Sequence, residues 1–387
     1  MNSSIINMKF EQIFDKLISF QSISEISNKG IINFIYDYLK NQDLNPKKIQ
    51  GHEGRFNLYC KIGPDKPGGI ILSGHTDVVP VEGQKWSTNP FKLSSANNKF
   101  YGRGTCDMKG FIATVLHMVP KIKNIKLARP IHLVFSYDEE VGCIGIQKLI
   151  PFLKKIKPKP KFCIVGEPTE MKLVNRHKGK KSYEVIFKGV ECHSSLVNDG
   201  VNAIEFSNEF ISFTKNFQNK LKKVYLDQDF SPPFPTLNIG KIYGGIALNI
   251  VPKECSIEFE IRDTPNLNNK IIKTNIENSL KKIENKMKLK NKKSCIKLIN
   301  KNNFPPLDTS PDKEIISVCL KSLKSNSTAS VSFGTEAGVF DNLDFQTVVC
   351  GPGSIKQAHR PNEYIEKNQI IKCEKFLKSI LDNLNKC

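Results

Sequence analysis

Residues 131–145 read IHLVFSYDEEVGCIG. Ile131 to Ser136 spell a short buried strand, rich in β-branched and aromatic residues, and Asp138, Glu139 and Glu140 stand at its carboxyl end. Adjacent carboxylates in such a place lose hydration and repel one another, so they need cations, protons or hydrogen-bond donors unless the triplet is a solvated loop. The rest of the chain decides between these readings.

Two further apolar runs repeat the pattern. GGIILSG (68–74) leads to His75-Thr76-Asp77, and KFCIV (161–165) leads to Gly166-Glu167. Helical stretches at KGFIATVLHMVPKI and GIQKLIPFLKKI lie between the runs, and FEQIFDKLISF and KGIINFIYDYLKNQ open the chain with three- and four-residue apolar spacing. This alternation predicts an α/β sheet covered by helices, whose ligands gather beyond the carboxyl ends of the strands. After about residue 180 the order changes to β-α-β-β-α-β, from SYEVIFKG to SCIKLI, a ferredoxin-like unit. The segment from about 300, with a helix at KEIISVCLKSL, glycine-rich loops at FGTEAG and CGPGS, and a closing helix, is expected to rejoin the first sheet. The expected division is a catalytic domain over 1–180 and 300–387 with an insertion over 181–299.

Bulk properties narrow the class. The chain has 387 residues and a net charge of +20, but its lysines are spread along the sequence rather than gathered in one block, and no nucleic-acid motif accompanies them. No nucleic-acid partner is expected. No apolar stretch reaches the ~18 residues of a membrane span, and the N-terminus lacks a signal peptide's basic start, so the expectation is a soluble cytoplasmic protein without membrane contact. The eleven cysteines are odd in number and contain no CxxC pair, which fits reduced thiols. GKKS at 179–182 is not a phosphate loop, because Val174 stands where the motif requires glycine.

Three strand ends thus deliver imidazole or carboxylate to one edge. Asp107 in GRGTCDMKG and His359 in GPGSIKQAH add two more donors. Nitrogen and oxygen donors of this kind suit zinc, cobalt or manganese, and five of them with one acid bridging would hold a metal pair about 3.5–4 Å apart.

The stretches SGHTDVVP, GRGTCDMKGF, DEEVGCIG, VGEPTE, GVECHSS, FGTEAG and CGPGSIKQAHRPNEYIE resemble, in order and over nearly the whole chain, the motifs of the dinuclear-zinc aminoacylase and carboxypeptidase-like metallopeptidase family. The resemblance implies an α/β zinc-peptidase-like catalytic domain, a mixed sheet flanked by helices, with an inserted ferredoxin-like α+β lid and dimerisation domain. It implies two zinc ions per subunit, with cobalt able to replace them. Asp107 would bridge the two, His75 and Glu167 would bind one, and Glu140 and His359 the other. Asp77 would orient the His75 ring, and the Asp107–Met108 peptide would be cis. Glu139 would be the general base, and His193 in GVECHSS would stabilise the oxyanion from the partner subunit of a homodimer. Arg262 and Asn249 would hold the α-carboxylate of a small N-acylated amino acid. Glu336, in FGTEAG, is expected to receive a cationic substrate side chain. His117 and His132 read as packing residues and His52 as a loop residue, while His177 has no assigned role. The resemblance, FGTEAG in particular, implies removal of an acetyl group; removal of a succinyl or another acyl group by a member of the same family is the alternative, and a non-catalytic binding protein the distant one.

Overall fold

The computed structural model describes residues 8–384; the first seven residues, on which the expected lack of a targeting segment partly rests, lie outside that range. Contacts divide the chain into two compact units. Of the described residues, one comprises 8–176, 307–330 and 335–384, and the other 177–306 with 331–334, a few residues outside the expected insertion at both ends. The difference arises because the strand Lys180–Lys188 begins early and the strand Cys295–Phe304 runs on late.

In the first unit a mixed sheet runs in the order 47–50, 56–62, 131–136, 70–75, 162–168, 346–351, 174–177, 307–308, with 329–331 pairing the 174–177 strand. Its centre is parallel: Ile70–His75 lies between Ile131–Ser136 and Phe162–Pro168, and Gln346–Gly351 comes next. Every residue of Ile70–His75, Ile131–Ser136 and Phe162–Pro168 is buried. That is why their sequences are continuous apolar runs rather than alternating ones, since helices cover both faces of such a sheet. The helix Lys109–Lys123 is buried along nearly its whole length and packs against Phe10–Ser19 and Lys367–Leu384. Phe10–Ser19 turns a stripe of Ile13, Phe14, Leu17 and Ile18 inward, at the spacing of one helix face.

The second unit is an antiparallel sheet in the order 236–244, 254–262, 180–188, 295–304. The chain order of its elements is the β-α-β-β-α-β read from the sequence. Strand Glu254–Arg262 alternates, burying Cys255, Ile257, Phe259 and Ile261. These pack against Phe206, Phe210 and Phe217 of the helix Ala203–Val224 and Ile272, Ile276 and Ile283 of Asn269–Lys290. Asn202 and Asn268 cap the two helices through their side-chain oxygens, as the asparagine preference at that position predicts. Among the described residues no helix is long and apolar enough to cross a membrane, and the cysteines are free.

Candidate metal centre

The parallel register explains how distant residues meet. His75 pairs with Ser136 across neighbouring strands, so His75 and the Asp138-Glu139-Glu140 loop leave the sheet at the same edge. Glu167 lies near the end of the next strand, in Phe162–Pro168. Asp107 precedes the helix Lys109–Lys123, and its bond to Met108 is cis.

These side chains converge. His75 Nε2 lies 3.1 Å from Asp107 Oδ1 and 3.7 Å from Glu167 Oε1. His359 Nε2 lies 3.4 Å from Asp107 Oδ2 and 2.9 Å from Glu140 Oε2. One oxygen of Asp107 therefore faces each histidine, the disposition a bridging carboxylate requires. Donor atoms of His75, Asp107 and Glu140 lie within 4.8 Å of one another, as do those of His75, Glu139 and Glu167. Glu139, expected as a base rather than a ligand, thus belongs to the same cluster.

The donor set fits a pair of divalent cations. Four of the five donors, all but His359, are largely enclosed, and Glu167 Oε1 is buried without a hydrogen-bond partner, an orphan that a cation would satisfy. Burial pushes Glu139 and Glu167 well above the usual carboxylate range and Glu140 up to about 7. The His359 imidazolium donates to the Asp107 and Glu140 carboxylates, which raises its pKa to about 10. Burial opposes a charged His75 ring, yet Asp107 and Asp77 beside it raise it, while the two histidines outweigh burial to lower Asp107. Buried carboxyls crowded in this way favour a cation among them, which would offset both their desolvation and their mutual repulsion.

The orientation of His75 differs in one respect from the sequence reading. Its Nδ1 lies 2.9 Å from the backbone carbonyl of Asp77, whereas the Asp77 carboxylate is 3.5 Å away. A carbonyl only accepts, so Nδ1 carries a proton; with a metal bound the ring would be neutral and Nε2 would be its donor atom. The Asp77 carboxylate has further partners: it accepts from Ser24 Oγ at 2.8 Å and from the backbone N–H groups of Glu139 and Glu140 at 3.1 and 3.3 Å. It fixes the loop that carries both glutamates. Asp138 is no solvated loop residue either; it is buried, pairs with Arg55 and accepts the Glu25 N–H at 2.8 Å.

The remaining expected residues divide by location. The sequence reading gives Glu336 to a cationic substrate group, but the structure encloses it completely, at 0% exposure. Its Oε2 is 3.5 Å from Ser73 Oγ, the Ser136 hydroxyl also lies beside the carboxyl, and burial raises its pKa to about 7. His193, Asn249 and Arg262 belong to the second unit. His193 and Asn249 are on adjoining segments, joined by a bridge between His193 and Ile250 and by Ser194 N–H donating to the Asn249 carbonyl at 3.0 Å. Arg262 ends the strand Glu254–Arg262 and donates its Nε–H to Glu260 at 3.0 Å. His132 is buried against the Tyr59 hydroxyl at 2.8 Å, and His117 stacks edge-on with Phe10.

Sequence reading overlooked the support of the Asp107 loop. Glu363 accepts hydrogen bonds from the backbone N–H groups of Gly104, Cys106 and Asp107 and pairs with Arg103 at 2.7 Å. Both charged residues lie inside the motifs GRGTCDMKG and HRPNEYIE, each four residues from Asp107 or His359. That placement was the available signal.

Fold and site together define a metal-dependent hydrolase of a known kind: the chain belongs to peptidase family M20/M25/M40, whose sequence profile matches residues 71–383. It is 34% identical over 368 residues to the acetylornithine deacetylase of Buchnera aphidicola subsp. Acyrthosiphon pisum (strain 5A), covering 92% of this chain and 93% of that one. It is 33% identical over 364 residues to the acetylornithine deacetylase of Aliivibrio fischeri (strain ATCC 700601 / ES114), covering 92% and 93%. The same fold occurs in the M20 family metallo-carboxypeptidase Sso-CP2 from Sulfolobus solfataricus, with a TM-score of 0.79, 17% identity, and 98% and 100% of the two chains covered.

Proposed function

We propose that this chain is a zinc-dependent, cytoplasmic amidohydrolase that removes the acetyl group from N2-acetyl-L-ornithine, giving L-ornithine and acetate in arginine biosynthesis, and that it works as a homodimer. The observation that carries the reading is the meeting of His75, Asp107, Glu140, Glu167 and His359 around one bridging carboxylate, with Glu139 beside them. When bound, two divalent ions at these donors supply a water of lowered pKa and polarise the acyl oxygen.

The chain's own residues perform the remaining work. Glu139 takes a proton from the attacking water and returns it to the leaving amine as the carbon–nitrogen bond breaks. Its burial favours the protonated form, and the Cys143 thiol donates to Oε1 at 3.4 Å, restricting how the carboxylate turns. His193 Nδ1 accepts from Ser195 N–H at 3.2 Å and lies 2.8 Å from Ser195 Oγ, so the neutral ring carries its proton on Nε2. That Nε2–H is the donor assigned to the developing oxyanion. The fork of Arg262, with Asn249, is assigned to the substrate carboxylate.

The arrangement of the second unit supports a two-chain site. Arg262 ends the strand Glu254–Arg262, whereas His193 and Asn249 adjoin its beginning, roughly 27 Å away at about 3.4 Å per residue. One chain holds these groups too far apart to grip one small substrate, and a second chain would bring its own His193. The edge strand Thr236–Gly244, with Ile242 and Tyr243 exposed, offers an unpaired face for that partner. The reading is tested by assaying hydrolysis of N2-acetyl-L-ornithine and N-succinyl-diaminopimelate side by side. A strong preference for the acetylated substrate is expected, and a preference for the succinylated one would overturn the substrate assignment while leaving the metal chemistry in place.

A further inference from the structure

Asp107 and His359 come from segments more than 250 residues apart, yet a continuous chain of hydrogen bonds joins the backbone of one to the backbone of the other. Glu363 and Arg103 are each 1% exposed. Glu363 Oε1 accepts from the N–H groups of Cys106 and Asp107 at 2.8 and 3.1 Å. Its Oε2 accepts from Gly104 N–H at 3.0 Å and from Arg103 Nη1 at 2.7 Å. Arg103 Nη1 also reaches the Arg360 carbonyl at 3.3 Å, and Nη2 donates to Gln84 Oε1 at 2.7 Å. Gln84 completes the path, donating Nε2–H to the His359 carbonyl at 2.9 Å.

We propose that Glu363, Arg103 and Gln84 form a clamp that sets Asp107 and His359 against each other and thereby determines how tightly this chain holds its metal pair. None of the three is a donor to the metal cluster; each is a positioning residue acting through backbone. The inference rests on the metal reading above.

The donor pattern makes a specific demand at position 363. Four donors converge there, two on each oxygen, so both oxygens must accept. An amide has one oxygen and one NH2 group. Glutamine in either orientation turns that NH2 toward two N–H donors and breaks one half of the pattern. If the Oε1 half breaks, Asp107 loses the bond to its own N–H; if the Oε2 half breaks, the Arg103 guanidinium is left buried opposite a neutral group. The guanidinium in turn connects Gln84 and the His359 loop, so loosening at Glu363 is transmitted to the other end of the clamp.

The test is zinc binding rather than turnover. Metal-free wild type, Glu363→Gln and Gln84→Met are titrated with zinc against a competing chelator, and the thermal midpoint of each metal-free protein is recorded beside its far-ultraviolet circular dichroism. Wild type binds two zinc ions, and the variants keep their fold and hold at least one ion more weakly, by about tenfold to a hundredfold, the usual effect of removing a group that orients a metal ligand. Wild-type zinc affinity in both variants overturns the clamp and leaves the metal reading intact. Wild type that binds no zinc overturns both. Should Glu363→Gln fail to fold, the half-buried Gln84 decides alone: weakened zinc binding in Gln84→Met supports the clamp, and unchanged binding overturns it.

Discussion

Glu139 and Glu140 are neighbours in sequence and share the backbone anchor of Asp77, yet their carboxylates have different partners: Glu140 meets His359 at 2.9 Å, while Glu139 accepts the Cys143 thiol. Proton transfer is accordingly assigned to the first of the pair and metal binding to the second. Glu139→Gln should therefore retain both metal ions and its fold while losing turnover by at least about a hundredfold, the usual range for a general base; loss of metal in that variant, measured by elemental analysis, would show the roles to be exchanged. His132 gives a pH test away from the metals. Burial lowers its pKa to about 4, so the unfolded chain binds a proton that the folded chain refuses as pH falls below the ordinary histidine value. Stability contributed by the neutral ring is thus complete above about pH 6.5 and lost toward about pH 4, worth about 3 kcal/mol over that window. Urea unfolding of metal-free protein at pH 7 and 4.5 should show a smaller drop in His132→Leu than in wild type.

At the scale of elements, the strand-end pattern was legible because parallel strands buried on both faces must be continuously apolar and must deliver their C-terminal loops to one edge. That reasoning singled out His75, Glu139, Glu140 and Glu167, whose side chains the fold brings together. The ion pairs that support the edge were not legible. Arg55 and Asp138 are 83 residues apart, and Arg103 and Glu363 are 260 apart, and each resembles an ordinary solvated charge until the fold brings its partner beside it. The enclosure of Glu336 was hidden for the same reason, since a carboxylate after a glycine-rich loop gives no sign of being sealed against Ser73. The Asp138 pair has a measurable consequence. Arg55→Met would leave Asp138 buried with the Glu25 N–H as its remaining close partner, and loss of one member of a buried pair costs about 3–5 kcal/mol. A denaturant midpoint within error of wild type would contradict that assignment.

At the scale of the whole molecule, a two-chain site makes a prediction that no single-chain site can match. Subunits carrying Glu139→Gln retain His193, and subunits carrying His193→Ala retain Glu139. If His193 acts on the partner's site, each mixed dimer regains one working site of two, and random exchange of equal amounts recovers about a quarter of wild-type activity. If His193 acts within its own chain, mixing recovers nothing. That the five converging donors hold the metals on which amide hydrolysis depends is tested most directly by titrating the metal-free protein with zinc while acetate release from N2-acetyl-L-ornithine is recorded. Activity should be absent without metal and return as zinc fills the site, while Asp107→Ala neither binds the pair nor recovers; hydrolysis that persists in the metal-free protein would contradict this assignment.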